Sequence, residues 1–191
     1  MAQADMPNPI ELYEAARDYM VPIIGGVKAS PLTDSTPCSE WNVQQLINHN
    51  LKVAGWAHSI LTGGPAVDDL SVNDPLPEEG APEAFGTNTD RVLAVIKASG
   101  MLEKVVSTPF GDMPAGNFLM FPFGDILIHK WDLAKATGQD ISMDSSMAQV
   151  VYRVWAPVLE GMRAPAFGPA VPVRPTASDR DKLLGLTGRT P

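Results

Sequence analysis

Several features that would restrict function at once are scarce or missing in this sequence. Its 191 residues include one cysteine, Cys38, so no disulfide can form within the chain. No apolar run approaches the roughly 20 residues that cross a membrane as a helix. The first 20 residues have neither the basic start nor the apolar centre of a signal peptide. These absences predict a cytoplasmic protein that does not bind membranes.

Basic residues are also scarce. Lysine and arginine number 14 against 22 aspartates and glutamates, which gives a formal net charge of −8 at pH 7. The basic residues are scattered and form no stripe along the sequence. An acidic chain of this kind is a poor candidate for binding phosphate backbones or anionic membranes, so we expect no nucleic-acid partner.

Strand patterns are weak throughout, and helical periodicity fits most of the chain. Glycine, proline and capping residues bound the periodic segments. The predicted helices span about 9–25, 43–62, 88–99 (with Thr87 as cap), 117–137 and 145–163, followed by a short helix from Ser178 to Gly188. Pro122 is expected to kink the fourth helix or mark its start, and Pro157 to kink the fifth.

These elements predict an all-α protein built as a four-helix bundle with a long crossover loop. The crossover is the acidic, proline-rich stretch 65–86, and 109–116 is predicted to be a loop with a tight turn. We expect one bundle domain over residues 1–163. Residues 164–191 would form a proline-rich connector and a short C-terminal helix packed on the same domain.

One stretch, GDILIHKWDLAKATG at 124–138, combines apolar residues with ionisable ones. On a helix, Asp125, His129 and Asp132 lie along one face. In the second predicted helix His49 falls at the edge of the apolar face, whereas His58 falls nearer solvent. An unpaired carboxylate on a buried face is costly, so a partner or a metal ion is expected.

Two interpretations of this pattern stay open at the level of the residues. Asp125 and His129, one helical turn apart, could bind one metal ion together with His49 from a neighbouring helix. Two imidazoles and one carboxylate leave open positions and are compatible with zinc, nickel, iron(II) and other divalent ions, among which the ligand types alone do not choose. Alternatively, His129 donates a hydrogen bond to Asp125 or Asp132 in a partly buried network that binds no metal.

Two segments together resemble a known family. TPCSEWNVQQLINHNLKVAGWAHSILTGG (36–64) and GDILIHKWDLAKATGQ (124–139) are similar to the mycothiol-dependent maleylpyruvate isomerase N-terminal domain family, within the DinB-like superfamily of metal-binding four-helix bundles. The tail, residues 167–191, resembles the end of a single-domain metal-binding subgroup. The resemblance implies His49, Asp125 and His129 as metal ligands. Asp125 stands where the isomerase has a glutamate.

The resemblance implies a divalent metal and mycothiol as cosubstrate, and hence a thiol-dependent transferase or isomerase acting on a small electrophile. In the isomerase a further C-terminal domain contributes to the active site, and this chain is expected to lack it, so different chemistry is expected. A non-catalytic metal- or ligand-binding module, such as a sensor or stress protein, is the alternative. In a non-catalytic module, Asp132 or His58 would close the site as a fourth metal ligand. If Asp132 is not a ligand, we expect it to form a hydrogen bond to a ligand side chain or between two helices.

A third hypothesis is an interaction protein without metal, which predicts that His49 and His129 lie far apart. A homodimer is also considered, because related bundles often pair helices across a dimer. Cys38 is interpreted as a redox or ligand thiol or as a small packing residue of the loop. Trp41 is interpreted as a hydrophobic staple or loop anchor. Trp56 and Trp131 are interpreted as core residues or, alternatively, as residues that line a cavity beside the metal.

Overall fold

The computed structural model describes residues 7–65 and 71–191, without the side chains of residues 162 and 164–166. The chain divides into two compact units, Met1–Asp140 and Ile141–Pro191. The sequence predicted that the bundle domain ends at residue 163, whereas the first compact unit ends at Asp140. That domain boundary and the packing of residues 164–191 on the bundle stay predictions. Among the described residues, no helix is both long and apolar enough to cross a membrane.

The first unit contains four long helices. They are α1 (Pro9–Gly25), α2 (Val43–Thr62), α3 (Ala81–Ile96) and α4 (Ala115–Thr137). Helix α1 packs against α3 and α4, and α2 packs against the same two helices, so the four close into a bundle. This confirms the all-α, DinB-like four-helix fold predicted from the sequence.

The interior of this bundle is apolar and closely filled. Its largest side chains with less than 2 % exposure come from all four helices: Tyr13, Met20, Leu46, Ile47, Leu61, Phe85, Ile96, Phe118, Leu119, Phe123, Ile126 and Trp131. Burial of such side chains is the main favourable term in folding, at roughly 25 cal/mol per Å² of apolar surface. The functional side chains described below are therefore fixed on a rigid frame.

Residue types at the helix ends explain most of the boundaries. The Asn8 side chain accepts from the Ile10 amide at the start of α1, and Pro9 occupies the first turn. Helix α2 begins with a capping box in which the side chains of Asn42 and Gln45 each accept from the other's backbone amide. It ends at Gly63, whose φ of 70° is a left-handed conformation suited to glycine.

One predicted boundary in this unit is wrong, and one of the two alternatives for Pro122 is excluded. Helix α3 begins at Ala81, not at 88, because Pro82 stands in the first turn, where a missing N–H costs nothing. The end of the predicted loop 65–86 is therefore helical, and residues 66–70 of that loop lie outside the described part of the chain. Helix α4 runs through Pro122, so this proline does not mark its start.

A short antiparallel hairpin was not predicted. Strand β1 (Val105–Thr108) pairs with β2 (Gly111–Pro114), and Gly111 takes a positive φ of 100° at the turn. The predicted tight turn lies here, but the four-residue strands are too short to show an alternating pattern. Phe110 at the turn stacks on Phe121 of α4, with ring centroids 4.8 Å apart.

The second unit holds three shorter helices: α5 (Ser145–Trp155), α6 (Leu159–Ala166) and α7 (Asp179–Leu186). The predicted single helix 145–163 is wrong, since it is interrupted around Pro157, which lacks a backbone donor. The predicted cap at Ser178 is confirmed, because its side chain accepts from the Asp181 amide. Helix α7 approaches the connector so closely that a Cβ on Gly185 would lie 2.6 Å from the Val171 carbonyl oxygen.

Candidate metal centre

Helices α2 and α4 of the first unit bring three of the predicted site residues together. His49 projects from α2, and Asp125 and His129 project from successive turns of α4. One potential ligand atom from each of the three lies within 4.8 Å of the other two. The hypothesis that His49 and His129 lie far apart is therefore wrong.

The Asp125 carboxylate lies between the two imidazole rings. His49 Nε2 is 3.1 Å from Asp125 Oδ2 and 3.3 Å from Oδ1. His129 Nε2 is 3.4 Å from Asp125 Oδ1. The two rings meet nearly edge to face, with centroids 4.8 Å apart. The carboxylate is therefore placed to accept from both rings.

The protonation of this group follows from burial and charge. Burial alone would raise the pKa of Asp125, but the charges of His49 and His129 and their hydrogen bonds hold it well below its usual range. Burial alone would lower the pKa of His129, but Asp125 and Asp132 outweigh burial and raise it to about 9. The two shifts together favour the ionised form of Asp125 and the protonated form of His129.

The arrangement fits a metal ion on geometric grounds. Zinc bound tetrahedrally at about 2.0–2.1 Å separates its ligand atoms by about 3.3 Å. The closest approach of the Asp125 carboxylate to each ring, 3.1 Å for His49 and 3.4 Å for His129, matches that spacing. The side chains of His49 and Asp125 retain 16 % and 19 % exposure, so the cluster is not sealed from solvent. Two imidazoles and one carboxylate form a donor set that also suits other divalent transition metals.

Asp132 lies behind this cluster on α4. Its Oδ2 is 2.9 Å from His129 Nδ1, and its side chain is fully buried. A histidine that binds a metal through one ring nitrogen commonly donates its other N–H to such a carboxylate, which fixes tautomer and ring orientation. The structure therefore pairs Asp132 with the far side of the His129 ring, and it is not part of the group formed by His49, Asp125 and His129. Among the described residues, a second candidate group consists of Cys38, His129 and Asp132. His58, the other predicted fourth ligand, belongs to neither group.

Two residues of the loop before α2 reach the site. The Trp41 ring lies over His49, with centroids 4.2 Å apart and planes tilted by 30°, and is 5.6 Å from the His129 ring. Cys38, half-buried, offers a sulfur within 4.8 Å of ligand atoms of His129 and Asp132. The Thr36 hydroxyl fixes this loop, since it donates to the Cys38 and Trp41 carbonyl oxygens at 3.0 Å and 2.8 Å.

The other predicted aromatic residues lie in packing positions. Trp56 meets Phe118 edge to face at 5.3 Å and Phe110 at 6.4 Å. Trp131 is 1 % exposed, and Lys135 lies over its ring. The tryptophan beside the histidines is thus Trp41, which the sequence had indicated only as a loop anchor. The T-P-C-x-x-W segment at 36–41 contained the information that could have located Trp41, because the Thr36 hydroxyl donates to the Trp41 carbonyl and so fixes the loop.

One known protein family matches most of this chain. A model of the mycothiol maleylpyruvate isomerase N-terminal domain family matches residues 13–134, which include His49, Asp125 and His129. The chain belongs to this family. Among curated proteins, it is 29 % identical over 194 residues to an uncharacterized protein of Mycobacterium tuberculosis, found in two strains. That match covers 96 % of this chain and 98 % of the relative.

Solved structures of the family are similar in fold. A mutant form of the mycothiol-dependent maleylpyruvate isomerase superposes with a TM-score of 0.60 at 14 % identity, covering 90 % of this chain and 78 % of that one. A second structure of the isomerase gives a TM-score of 0.55 at 15 % identity, covering 82 % and 71 %. At these identities the likeness establishes the fold alone.

Proposed function

We propose that this protein binds one divalent metal ion through His49, Asp125 and His129 and uses it to activate a low-molecular-weight thiol. The observation that carries this proposal is the convergence of both Nε2 atoms on the Asp125 carboxylate, at 3.1–3.4 Å. Membership of the isomerase family supports mycothiol as the thiol. The reaction would be a transfer or isomerisation of a small electrophile. Zinc is the first candidate metal, with nickel or iron(II) next.

The side chains around the ion would have distinct tasks. A divalent cation held by two neutral imidazoles and one carboxylate keeps a net positive charge, which lowers the pKa of a bound thiol. Asp132 would hold the N–H tautomer of His129 that leaves Nε2 available. Trp41 would cover one face of His49 and limit its rotation. Asp125, one methylene shorter than the glutamate of the isomerase, would hold the ion closer to α4.

Metal content tests the first part of this proposal. Protein purified without affinity tag or chelator should contain about one divalent ion per chain by inductively coupled plasma mass spectrometry. His49→Ala and His129→Ala should lose it, and Asp125→Glu should retain it. His58→Ala is the matched control, because His58 lies on α2 but outside both candidate groups. Parent protein that contains no metal, and takes up neither zinc nor nickel, would rule the proposal out.

A non-catalytic metal-binding module is a second candidate, and the limited access to the cluster favours it. The His129 side chain is only 6 % exposed, which would restrict access to the ion to the side of His49 and Asp125. Cobalt-loaded protein distinguishes the two functions, because sulfur coordination adds a charge-transfer band to the spectrum. Such a band on addition of mycothiol supports the thiol-dependent enzyme. An unchanged spectrum favours the module. A homodimer and a cytoplasmic location stay predictions of the sequence.

A further inference from the structure

The two ring nitrogens of His129 face two different groups of potential metal ligands. Nε2 lies on the side of Asp125, 3.4 Å from its Oδ1. Nδ1 lies on the side of Asp132, 2.9 Å from its Oδ2. Cys38 belongs to a group with His129 and Asp132 that does not include His49 or Asp125. This grouping is the one expected for a thiol on the Nδ1 side of the ring.

The fold holds the three members of this second group in place. One potential ligand atom from each of them lies within 4.8 Å of the other two. The Asp132 side chain is fully buried and that of His129 is 6 % exposed, so this is not a cluster of solvated surface side chains. Cys38 is half-buried, and its loop is fixed because the Thr36 hydroxyl accepts from the Cys38 amide at 3.2 Å and donates to the Cys38 carbonyl oxygen at 3.0 Å. Tertiary packing therefore brings the thiol to a histidine and a carboxylate that are far from it in sequence.

Sulfur gives this second group a preference for metals that the first group lacks. A thiolate is a soft donor, and soft ions such as copper(I) or cadmium(II) gain most from binding it. The group formed by His49, Asp125 and His129 offers only nitrogen and oxygen, which suit harder divalent ions. The exposed part of Cys38 leaves a side from which an ion can enter, although Asp132 is buried. The two groups should therefore select different ions.

We propose that Cys38, His129 and Asp132 form a second metal site, which binds soft, thiophilic ions through Sγ, Nδ1 and a carboxylate oxygen. The thiol releases its proton on binding, and the one proton of the neutral imidazole moves to Nε2. Nε2 then has no lone pair for an ion at the first group. A soft ion at the second site would therefore remove His129 from the proposed thiol-activating centre. The second site itself does not depend on that proposed function.

Cadmium(II) is the probe for this site, because a thiolate bound to it produces an ultraviolet charge-transfer band. Cys38 is the only cysteine of the chain, so the band reports this thiol alone. One equivalent of cadmium should produce the band in the full chain, and Cys38→Ser, His129→Gln and Asp132→Asn should each lose it. His49→Ala should keep it, because His49 belongs to the first group only. Asp112→Asn is the matched control for charge, and circular dichroism checks that each variant is folded.

The outcomes separate this inference from the proposed function. Parent protein that shows no band would overturn the second site. A band that persists in folded His129→Gln or Asp132→Asn would also overturn it, because the thiol would then bind cadmium without that residue. Loss of the band in His49→Ala would assign the thiol to the first group instead. A cadmium band with the expected variant pattern, in a protein that takes up neither zinc nor nickel, would overturn the proposed function and leave the second site standing.

Discussion

Asp132 is a fully buried carboxylate that forms a hydrogen bond with a ring nitrogen of His129. Its Oδ2 lies 2.9 Å from His129 Nδ1 on the same helix. An ionised carboxylate without such a partner would cost several kcal/mol in the interior. Because His129 is 5 % exposed as a residue, the pair is shielded from water and its electrostatic interaction is strong. Asp132 therefore orients His129 and, together with Asp125, favours its charged form.

Replacement of Asp132 by asparagine should weaken metal binding while keeping the shape of the side chain. The amide can still accept from His129 Nδ1–H, but it no longer stabilises charge on the ring, and it can rotate to present a donor instead. We expect zinc affinity to fall about 10-fold or more. The pKa of His129 in the metal-free protein, followed by NMR titration, should also fall, because one of the two carboxylates that raise it is removed.

The exposed Asp112 provides the control for this substitution, since Asp112→Asn removes the same charge at the hairpin. Equal zinc affinities of Asp132→Asn and the parent would contradict the assigned role. An unchanged pKa of His129 in the Asp132→Asn variant would also contradict it.

The sequence predicted the part of the site that lies on one helix. The four-residue spacing of Asp125 and His129 places both on one face of α4, and the apolar face of α2 indicated an inward His49. Trp41 could not be found this way, because its proximity to the site depends on how the loop before α2 packs. No periodicity within a segment encodes such contacts between distant segments.

The start of α2 is the element on which His49 depends. The Asn42 side chain accepts from the Gln45 amide at 2.9 Å, and the Gln45 side chain accepts from the Asn42 amide at 2.9 Å. The same segment is joined to the preceding loop, because the Val43 amide donates to the Asp34 carbonyl. This network fixes where the helix begins and hence which residue of α2 faces α4.

Asn42→Ala should destabilise the protein by about 1 kcal/mol, the usual contribution of an N-cap side chain. Asn42→Ser should restore most of this loss, because serine also accepts from the third helical amide. Urea denaturation monitored by circular dichroism measures both variants. Equal stabilities of the alanine and serine variants would show that the cap does not act through its side-chain acceptor.

Helices with strong end signals were the most predictable elements. The first two predicted helices, 9–25 and 43–62, match α1 and α2 because glycine ends both of them. The start of α3 was missed because an acidic, proline-containing stretch is compatible with a loop as well as with a first helical turn. The hairpin was missed because its strands are short and half-exposed, so tertiary packing on α2 and α4, and not local pattern, selects them.

At the scale of the whole molecule, the carboxylate–imidazole cluster couples stability to pH. Asp125 and Asp132, against the effect of burial, raise the pKa of His129 from 6.5 to about 9. A raised pKa means that the folded state binds the proton more tightly than the unfolded chain does. The resulting stabilisation is complete below about pH 6.5 and is lost as the pH rises through 9. The lowered pKa of Asp125 acts at the other end, where stability is lost as the pH falls below about 4.

The metal-free protein should therefore be less stable at pH 9.5 than at pH 6, by on the order of 1–3 kcal/mol. Urea denaturation in the presence of chelator measures this difference. His129→Gln should flatten the profile across this interval, because glutamine does not titrate. A parent profile as flat as that of His129→Gln would contradict the assignment. Metal affinity should change in the opposite direction, since a proton competes with the ion for His129.

The stack of Trp41 on His49, at 4.2 Å, also gives the candidate centre an optical property of its own. The indole of Trp41 is fluorescent, and its emission would respond to a metal ion bound to the neighbouring imidazole of His49. Open-shell ions such as cobalt(II), nickel(II) or copper(II) quench nearby indole emission, whereas closed-shell zinc does not. Metal binding at the proposed site would thus give a fluorescence signal that separates ions which the donor set alone does not distinguish.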